Sequence, residues 1–307
     1  EQKLTHSYTI YSHNTEEFLG ESFYDWRKYV FQETANYLCS QGLDVKQENR
    51  ESFEVNSGPS EKKQVVIRDS LGILQNDQTG DYYVLDCHDI AKTDELELIV
   101  RDNRCKRILK CQYRTDVFKE PVYQKVRPWT YFDRFWPKNE KKLVESREII
   151  RTSNSLYFRG ADWAKRGRIL GELSQRGVVQ SDFQIIDFDE YFRESCQHSV
   201  ILSLPGMADL CNRDVESFAS GTCVLRPRLR NEFHNELIPD YHYISVDTKY
   251  YKIDFIEVAD KIEQRFREIA DDHAFIAYVA GNAAQWYDEN VRLDAAMKLT
   301  SQLLGLC

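Results

Sequence analysis

No stretch of this 307-residue sequence comes near the roughly 18–20 consecutive apolar residues that a membrane-spanning helix needs. Its longest apolar runs, such as Tyr82–Leu85 and Val200–Leu204, are the length of strands. A basic excess is also missing. The net charge is −9, which argues against nucleic acid as the main partner, because phosphate binding needs a basic face. The eight cysteines are scattered, with no C-x-x-C pair and no zinc spacing. They read as free thiols in a reducing compartment rather than as a disulfide framework. No Asn-x-Ser/Thr acceptor occurs. A cytoplasmic location is therefore expected. A trimmed lumenal form is the alternative, since the chain begins at Glu1 without Met. The absence of G-x-S-x-G, a Walker loop, H-E-x-x-H and G-x-G-x-x-G removes the simplest hydrolase, kinase and dehydrogenase readings.

What is present suits a globular α/β protein of two domains. Hydrophobic residues make up 42% and charged residues 30%, and the length accommodates two domains of ordinary size. Ser7–Ser12 reads as a strand and Glu16–Gly42 as an amphipathic helix stopped by glycine. Leu43–Val45 and Val65–Ile67 read as strands around a polar loop, 49–63. Tyr82–Leu85 and Arg107–Gln112 read as strands flanking a helix near 95–104, which predicts a small parallel sheet. The proline-containing aromatic stretch Thr115–Trp136 reads as a connection, and Lys138–Ile150 as a helix. A second alternation follows, with strands at Leu156–Phe158, Phe183–Ile186, Val200–Leu204, Cys223–Leu225 and Tyr243–Val246. Helices are predicted over Arg168–Gln175, Asp189–His198, Arg213–Ser220, Phe255–Ala270 and Phe275–Leu304. The expected domains are 1–145 and 146–307, with the last helix able to cross back to the first.

The chemistry concentrates in the second half. Tyr157-Phe-Arg-Gly160 ends a strand and opens a loop containing Arg166 and Arg168. Ligands of open α/β sheets bind beyond the carboxyl ends of strands, where forked guanidinium donors at Arg159, Arg166 and Arg168 match a diphosphate. Pro205-Gly206 then closes a buried strand, and a helix starting near Asn212 offers free N–H groups to an anion. Arg213 lies in its first turn and Glu216 one turn on, a carboxylate suited to ribose hydroxyls. Gly221-Thr222 is expected to bring the end of that helix to the same sheet edge. A solvated basic loop and a surface i,i+3 ion pair are the plainer alternatives. Asp187-Phe-Asp189 has the spacing of a metal–diphosphate motif, although Asp189 reads better as a helix cap. In the first half, Asp86-Cys-His88-Asp89 ends a strand, so Asp86 or His88 is a candidate general base. A turn, a cap or a weak metal site would serve the same residues. Asp133, within Trp129–Trp136, is a second candidate.

On these residues the chain resembles the C-terminal half of a GT-B glycosyltransferase, in particular the CAP10-like group of protein O-glucosyl- and xylosyltransferases. The family's strand-end FRG motif resembles Tyr157–Gly160 with Arg166 and Arg168. Its arginine ahead of a Gly-Ser/Thr turn resembles Arg213 with Gly221-Thr222-Cys223-Val224, and its HYI-x-V segment resembles His242–Val246. The R-x-x-E-A-x(4)-G pattern of exostosin-type transferases resembles Arg213, Glu216 and Gly221 about as well. The resemblance covers roughly residues 155–290. It implies two Rossmann-like α/β/α domains facing a cleft, with a nucleoside diphosphate sugar on the second. Arg159 and Arg213 would bind the diphosphate, and Glu216 the ribose or sugar. The donor would be a UDP-sugar such as UDP-xylose or UDP-glucose, and the acceptor a glycan or protein hydroxyl. No metal would be required. The alternatives are a metal-dependent GT-A transferase using Asp187 and Asp189, and a non-catalytic carbohydrate- or nucleotide-binding protein.

Overall fold

The computed structural model describes residues 6–13, 26–58, 61–68, 70–132, 136–163, 165–184 and 186–306. In chain order its first elements are β1 (Ser7–Ser12), α1 (Trp26–Ser40), β2 (Asp44–Asn49), β3 (Ser52–Gly58), β4 (Glu61–Val66), β5 (Leu71–Asn76), β6 (Tyr82–Asp86), α2 (Asp94–Ile99), β7 (Cys105–Lys110) and β8 (Val126–Pro128). There follow α3 (Glu140–Glu145), β9 (Ser153–Arg159), α4 (Arg166–Gln175), β10 (Val179–Asp182), α5 (Phe188–Ser195), β11 (His198–Leu202), α6 (Asn212–Ala219), β12 (Cys223–Pro227) and β13 (Ile244–Val246). The chain closes with α7 (Phe255–Ile269), α8 (His273–Asn290) and α9 (Leu293–Leu304). Among the described residues no helix is long and apolar enough to cross a membrane. Two compact units result. The first is Glu1–Pro137 with Asn231–Asn235 and Asn290–Cys307, and the second is Lys138–Arg230 with Glu236–Glu289.

The first unit holds a six-stranded sheet in the order β2-β1-β5-β6-β7-β8. It is mixed, which corrects the expected parallel sheet: β5 runs antiparallel to both β1 and β6. The cause is local. Asn76 accepts the N–H groups of Gln78 and Thr79 through its side chain. This closes a tight turn into β6, and so short a connection can only join antiparallel strands. The expected polar loop at 49–63 contains strands of the β3/β4 hairpin. Phe53, Val55 and Val65 of that hairpin are buried with Leu96 and Ile99 of α2, which supplies the apolar face a hairpin needs. Trp129 and Trp136 are fully buried in this unit. Their indole N–H groups donate to Thr300 Oγ1 (2.9 Å) and the Val291 carbonyl (2.7 Å). The aromatic run therefore packs, while Asp133 lies outside the described residues, as do residues 16–25 of the predicted first helix.

The second unit holds a five-stranded parallel sheet, ordered β10-β9-β11-β12-β13. Leu156, Phe158, Val200 and Leu202 on one face pack against α4 and α7 through Ile169, Leu173, Val258 and Ile262. Tyr157 and Ile201 on the other face pack against Tyr191 of α5. From β9 the chain moves outward to β10, and from β11 it moves the other way through β12 to β13. The crevice between the carboxyl ends of β9 and β11 is thus the topological switch point, where open α/β sheets bind ligands. The edge strand β10 lies four residues before its expected place. Its sequence, Val-Gln-Ser-Asp, is too polar to announce a strand. The boundary expected at 145 falls on the last residue of α3, and the single helix expected over 275–304 is divided, with α9 belonging to the first unit.

Candidate functional site

The switch-point crevice is lined by the loop after β9, the loop after β11 and the first turn of α6. Arg213 is 8% exposed, and its guanidinium lies 4.2 Å from the Phe158 ring centroid. Nε and Nη2 donate to the Arg159 carbonyl at 3.2 and 2.7 Å. The remaining arm, Nη1, is buried with no hydrogen-bond partner among the described residues. Arg166, 5% exposed, donates to the carbonyls of Leu204 (2.5 Å), Pro205 (3.1 Å) and Ala161 (3.2 Å) and to Cys211 Sγ (3.3 Å). Burial pushes the Arg166 guanidinium below its ordinary pKa. Among the described residues neither arginine forms an ion pair with a carboxylate. Two buried cations at one strand edge without a counter-ion are costly and make that edge complementary to an anion.

Other polar atoms there are also unsatisfied among the described residues. Ser203 Oγ follows β11, and Asn212 Oδ1 opens α6; both are buried without a partner. The first N–H groups of α6 add their share of the helix dipole. Gly160 has φ +154°, and a Cβ there would run into Arg213 Nη2. At Gly206 a Cβ would lie 2.8 Å from Arg166 Nη2. Both glycines let the backbone sit against a guanidinium. Gly160→Ala is accordingly expected to displace Arg213 and to weaken anion binding by roughly tenfold or more. Isothermal titration with pyrophosphate on a variant of unchanged circular dichroism checks this, and unaltered affinity would contradict it.

Several expected site residues are held elsewhere. The Arg159 guanidinium turns away from the crevice to Glu194 (2.8 Å) and Asp182 (3.3 Å), so its carbonyl rather than its charge faces Arg213. Arg168 is exposed on α4 and stacks over the Phe255 ring at 3.8 Å. Gly221 and Thr222 lie between the C-terminus of α6 and the start of β12, at the edge opposite to Pro205, Gly206 and Arg213. They do not share the edge expected of them, because α6 carries the chain from the carboxyl end of β11 back to the start of β12. Arg151 donates to Thr222 Oγ1 (3.0 Å) and the Ser220 carbonyl (2.5 Å), and Arg147 to the Ala219 carbonyl (2.8 Å). These arginines satisfy the last carbonyls of α6. Glu216, 3% exposed, lines an internal cavity of about 10 Å³ with Tyr191, Ser217 and Thr222, room for a single water. Asp187, not Asp189, caps α5 by accepting from the Glu190 N–H (2.9 Å), while Asp189 pairs with Lys142.

In the first unit Asp86 is 1% exposed and forms a buried ion pair with Lys110 (2.9 Å), which also donates to the His88 carbonyl. Burial pushes the neighbouring His88 imidazole below its ordinary pKa, against the pull of Asp86. Burial thus favours the neutral form of the His88 imidazole, the form that can accept a proton.

No protein-family model matches the chain, and neither does any curated protein sequence. Among solved structures the chain is similar to the C-terminal domain of LpcC, a glycosyl transferase group 1 family protein of Francisella tularensis. That match has 11% identity, 50% of this chain, 94% of that one and a TM-score of 0.33. It is also similar to HepE of Anabaena, solved with UDP and glucose, with 9% identity, 69% of this chain, 66% of that one and a TM-score of 0.42. A third is a TarM mutant of S. aureus in complex with Fondaparinux, alpha-GlcNAc-glycerol and UDP. There the identity is 11%, the TM-score 0.41, and the shares covered 85% of this chain and 51% of TarM. Likenesses this distant do not bear on the chemistry, for which the side-chain arrangement speaks alone.

Proposed function

We propose that the second unit binds the diphosphate of a nucleoside diphosphate sugar at its switch-point crevice, and that the chain is a GT-B-type glycosyltransferase. The observation that carries this reading is the pair of buried arginines, Arg166 and Arg213, with Arg213 Nη1 unpartnered at the first turn of α6. Glycosyl transfer breaks the bond between the anomeric carbon and a phosphate oxygen, and negative charge grows on the departing diphosphate. A guanidinium arm and helix N–H groups already aimed at that place stabilise the charge without reorganising. Arg166 fixes the Leu204–Gly206 backbone against which the phosphates would lie. In this reading His88 accepts the acceptor's proton and no metal is needed, while Glu216, held at the internal cavity beside Thr222, is not assigned to the ribose. A UDP-sugar is the proposed donor and a glycan or protein hydroxyl the acceptor.

The test is a thermal-shift screen of UDP, GDP, CMP and their sugars, with Mn²⁺ and with EDTA. A ligand at a hundredfold excess over its Kd stabilises the native state by about 2.7 kcal/mol, which a melting curve resolves. A shift with one nucleotide that EDTA leaves unchanged is the expected result. A shift only with Mn²⁺ would favour a metal-dependent site, and no shift with any nucleotide would remove the transferase reading.

A further inference from the structure

Behind the crevice lies a buried ion cluster centred on Arg226, a side chain of β12 that is 0% exposed. Its Nη1 is 2.8 Å from Asp214 Oδ2, and Asp214 is equally buried. Nη2 donates to the Asp209 carbonyl at 2.6 Å and lies 3.8 Å from Asp209 Oδ1, while Nε donates to the Pro227 carbonyl at 3.1 Å. The two carboxylates are used further. Asp214 Oδ2 accepts the Cys211 N–H at 2.7 Å, which fixes the start of α6. Asp209 accepts the Arg230 N–H at 2.6 Å and the Tyr251 hydroxyl at 3.0 Å. One guanidinium thus ties the turn that carries Arg213 to the loop that carries Pro205 and Gly206.

Charge gives this arrangement a second consequence. Asp214 is in the first turn of α6, beside Arg213, and Asp209 is in the approach to that turn. Bare carboxylates at those positions would repel an anion where the helix N–H groups would hold it. Arg226 offsets both from within the core, and its fork reaches the two at once, as a lysine ammonium does not. We propose that Arg226 is a positioning residue for diphosphate binding: it sets the first turn of α6 and masks Asp214 and Asp209 from the anion. This inference rests on the diphosphate reading of the crevice.

The experiment is isothermal titration of the full chain with UDP and, separately, inorganic pyrophosphate. The variants are Arg226→Lys, Arg226→Met/Asp214→Asn and Arg213→Ala, each paired with a urea melt. The double variant leaves no unpaired charge between those two positions, and the new amide oxygen still accepts from Cys211. It is expected to stay folded and to bind pyrophosphate roughly tenfold or more weakly. Arg226→Lys, which restores the charge, is expected to recover part of that loss. Wild-type affinity in a folded double variant would overturn the positioning role and leave the diphosphate reading intact. If the double variant unfolds, Arg226→Lys decides: reduced affinity with an unchanged melt supports the role, and unchanged affinity overturns it. Absence of binding by the wild type, or undiminished binding by Arg213→Ala, would overturn the diphosphate reading and this inference with it.

Discussion

Replacing Arg213 with alanine is expected to lower turnover of the sugar donor by roughly a hundred- to a thousandfold while the second unit stays folded. The large kinetic effect follows from the proposed diphosphate site: Nη1 has no hydrogen-bond partner among the described residues, and in that reading it is the arm that meets the leaving group. The small structural effect follows as well. The variant gives up two hydrogen bonds to the Arg159 carbonyl and the contact with Phe158, but it also removes a buried cation that has no counter-ion among the described residues. A net change of about 1–2 kcal/mol is expected. Initial rates and urea midpoints on the same preparations check both halves. Near-normal turnover would show that the crevice is not where the donor's charge is held. A collapse of the urea midpoint would show that Arg213 is a structural residue.

The second large effect is in the first unit and bears on stability. Lys110→Met is expected to destabilise it by about 3–5 kcal/mol, because Asp86 would keep a buried charge with no cation beside it. The His88 carbonyl would lose its ammonium donor at the same time. Pairing the change with Asp86→Leu should return much of the stability, since a buried ion pair is often replaced by apolar groups at little cost. Denaturant midpoints of the wild type and the two variants measure this. A single variant as stable as the wild type would contradict the cost assigned to leaving Asp86 without Lys110.

Much of the second unit was legible in the sequence because a parallel strand buried on both faces is a short apolar run. Val200–Leu204 and Cys223–Leu225 could hardly be read otherwise. The first unit was harder. The β3/β4 hairpin contains four lysines and glutamates among its thirteen strand residues, and it takes its order from α2 and a distant part of the sheet, which local pattern does not reveal. At the site, Arg213, Pro205 and Gly206 were readable as a strand-end loop running into a helix. The partners that separate one arginine from another were not. Nothing in the spacing of Arg159 and Glu194, thirty-five residues apart, announces their pairing, yet it decides that Arg159 offers a carbonyl and Arg213 a charge. Gly221 and Thr222 illustrate a different gap. Their distance in sequence from Arg213 is one short helix, and in a parallel sheet that length leads from one edge to the other. Arg226 went unremarked because a cation inside an apolar strand resembles an interruption until its two aspartates are placed around it.

The path of the chain between the units bears on how the protein is made. The first unit takes its last helix from 290–307, and that helix supplies Thr300 to Trp129 while Val291, two residues before its first residue, receives the Trp136 indole. On the ribosome, residues 1–137 emerge first, but the groups that satisfy these two indoles emerge only after the entire second unit has been synthesised. Throughout that interval the Trp129 and Trp136 indole N–H groups lack their native acceptors. The second unit, except for its excursion at 231–235, can close as soon as α8 appears. The groups that complete the half translated first are therefore among the last to be made.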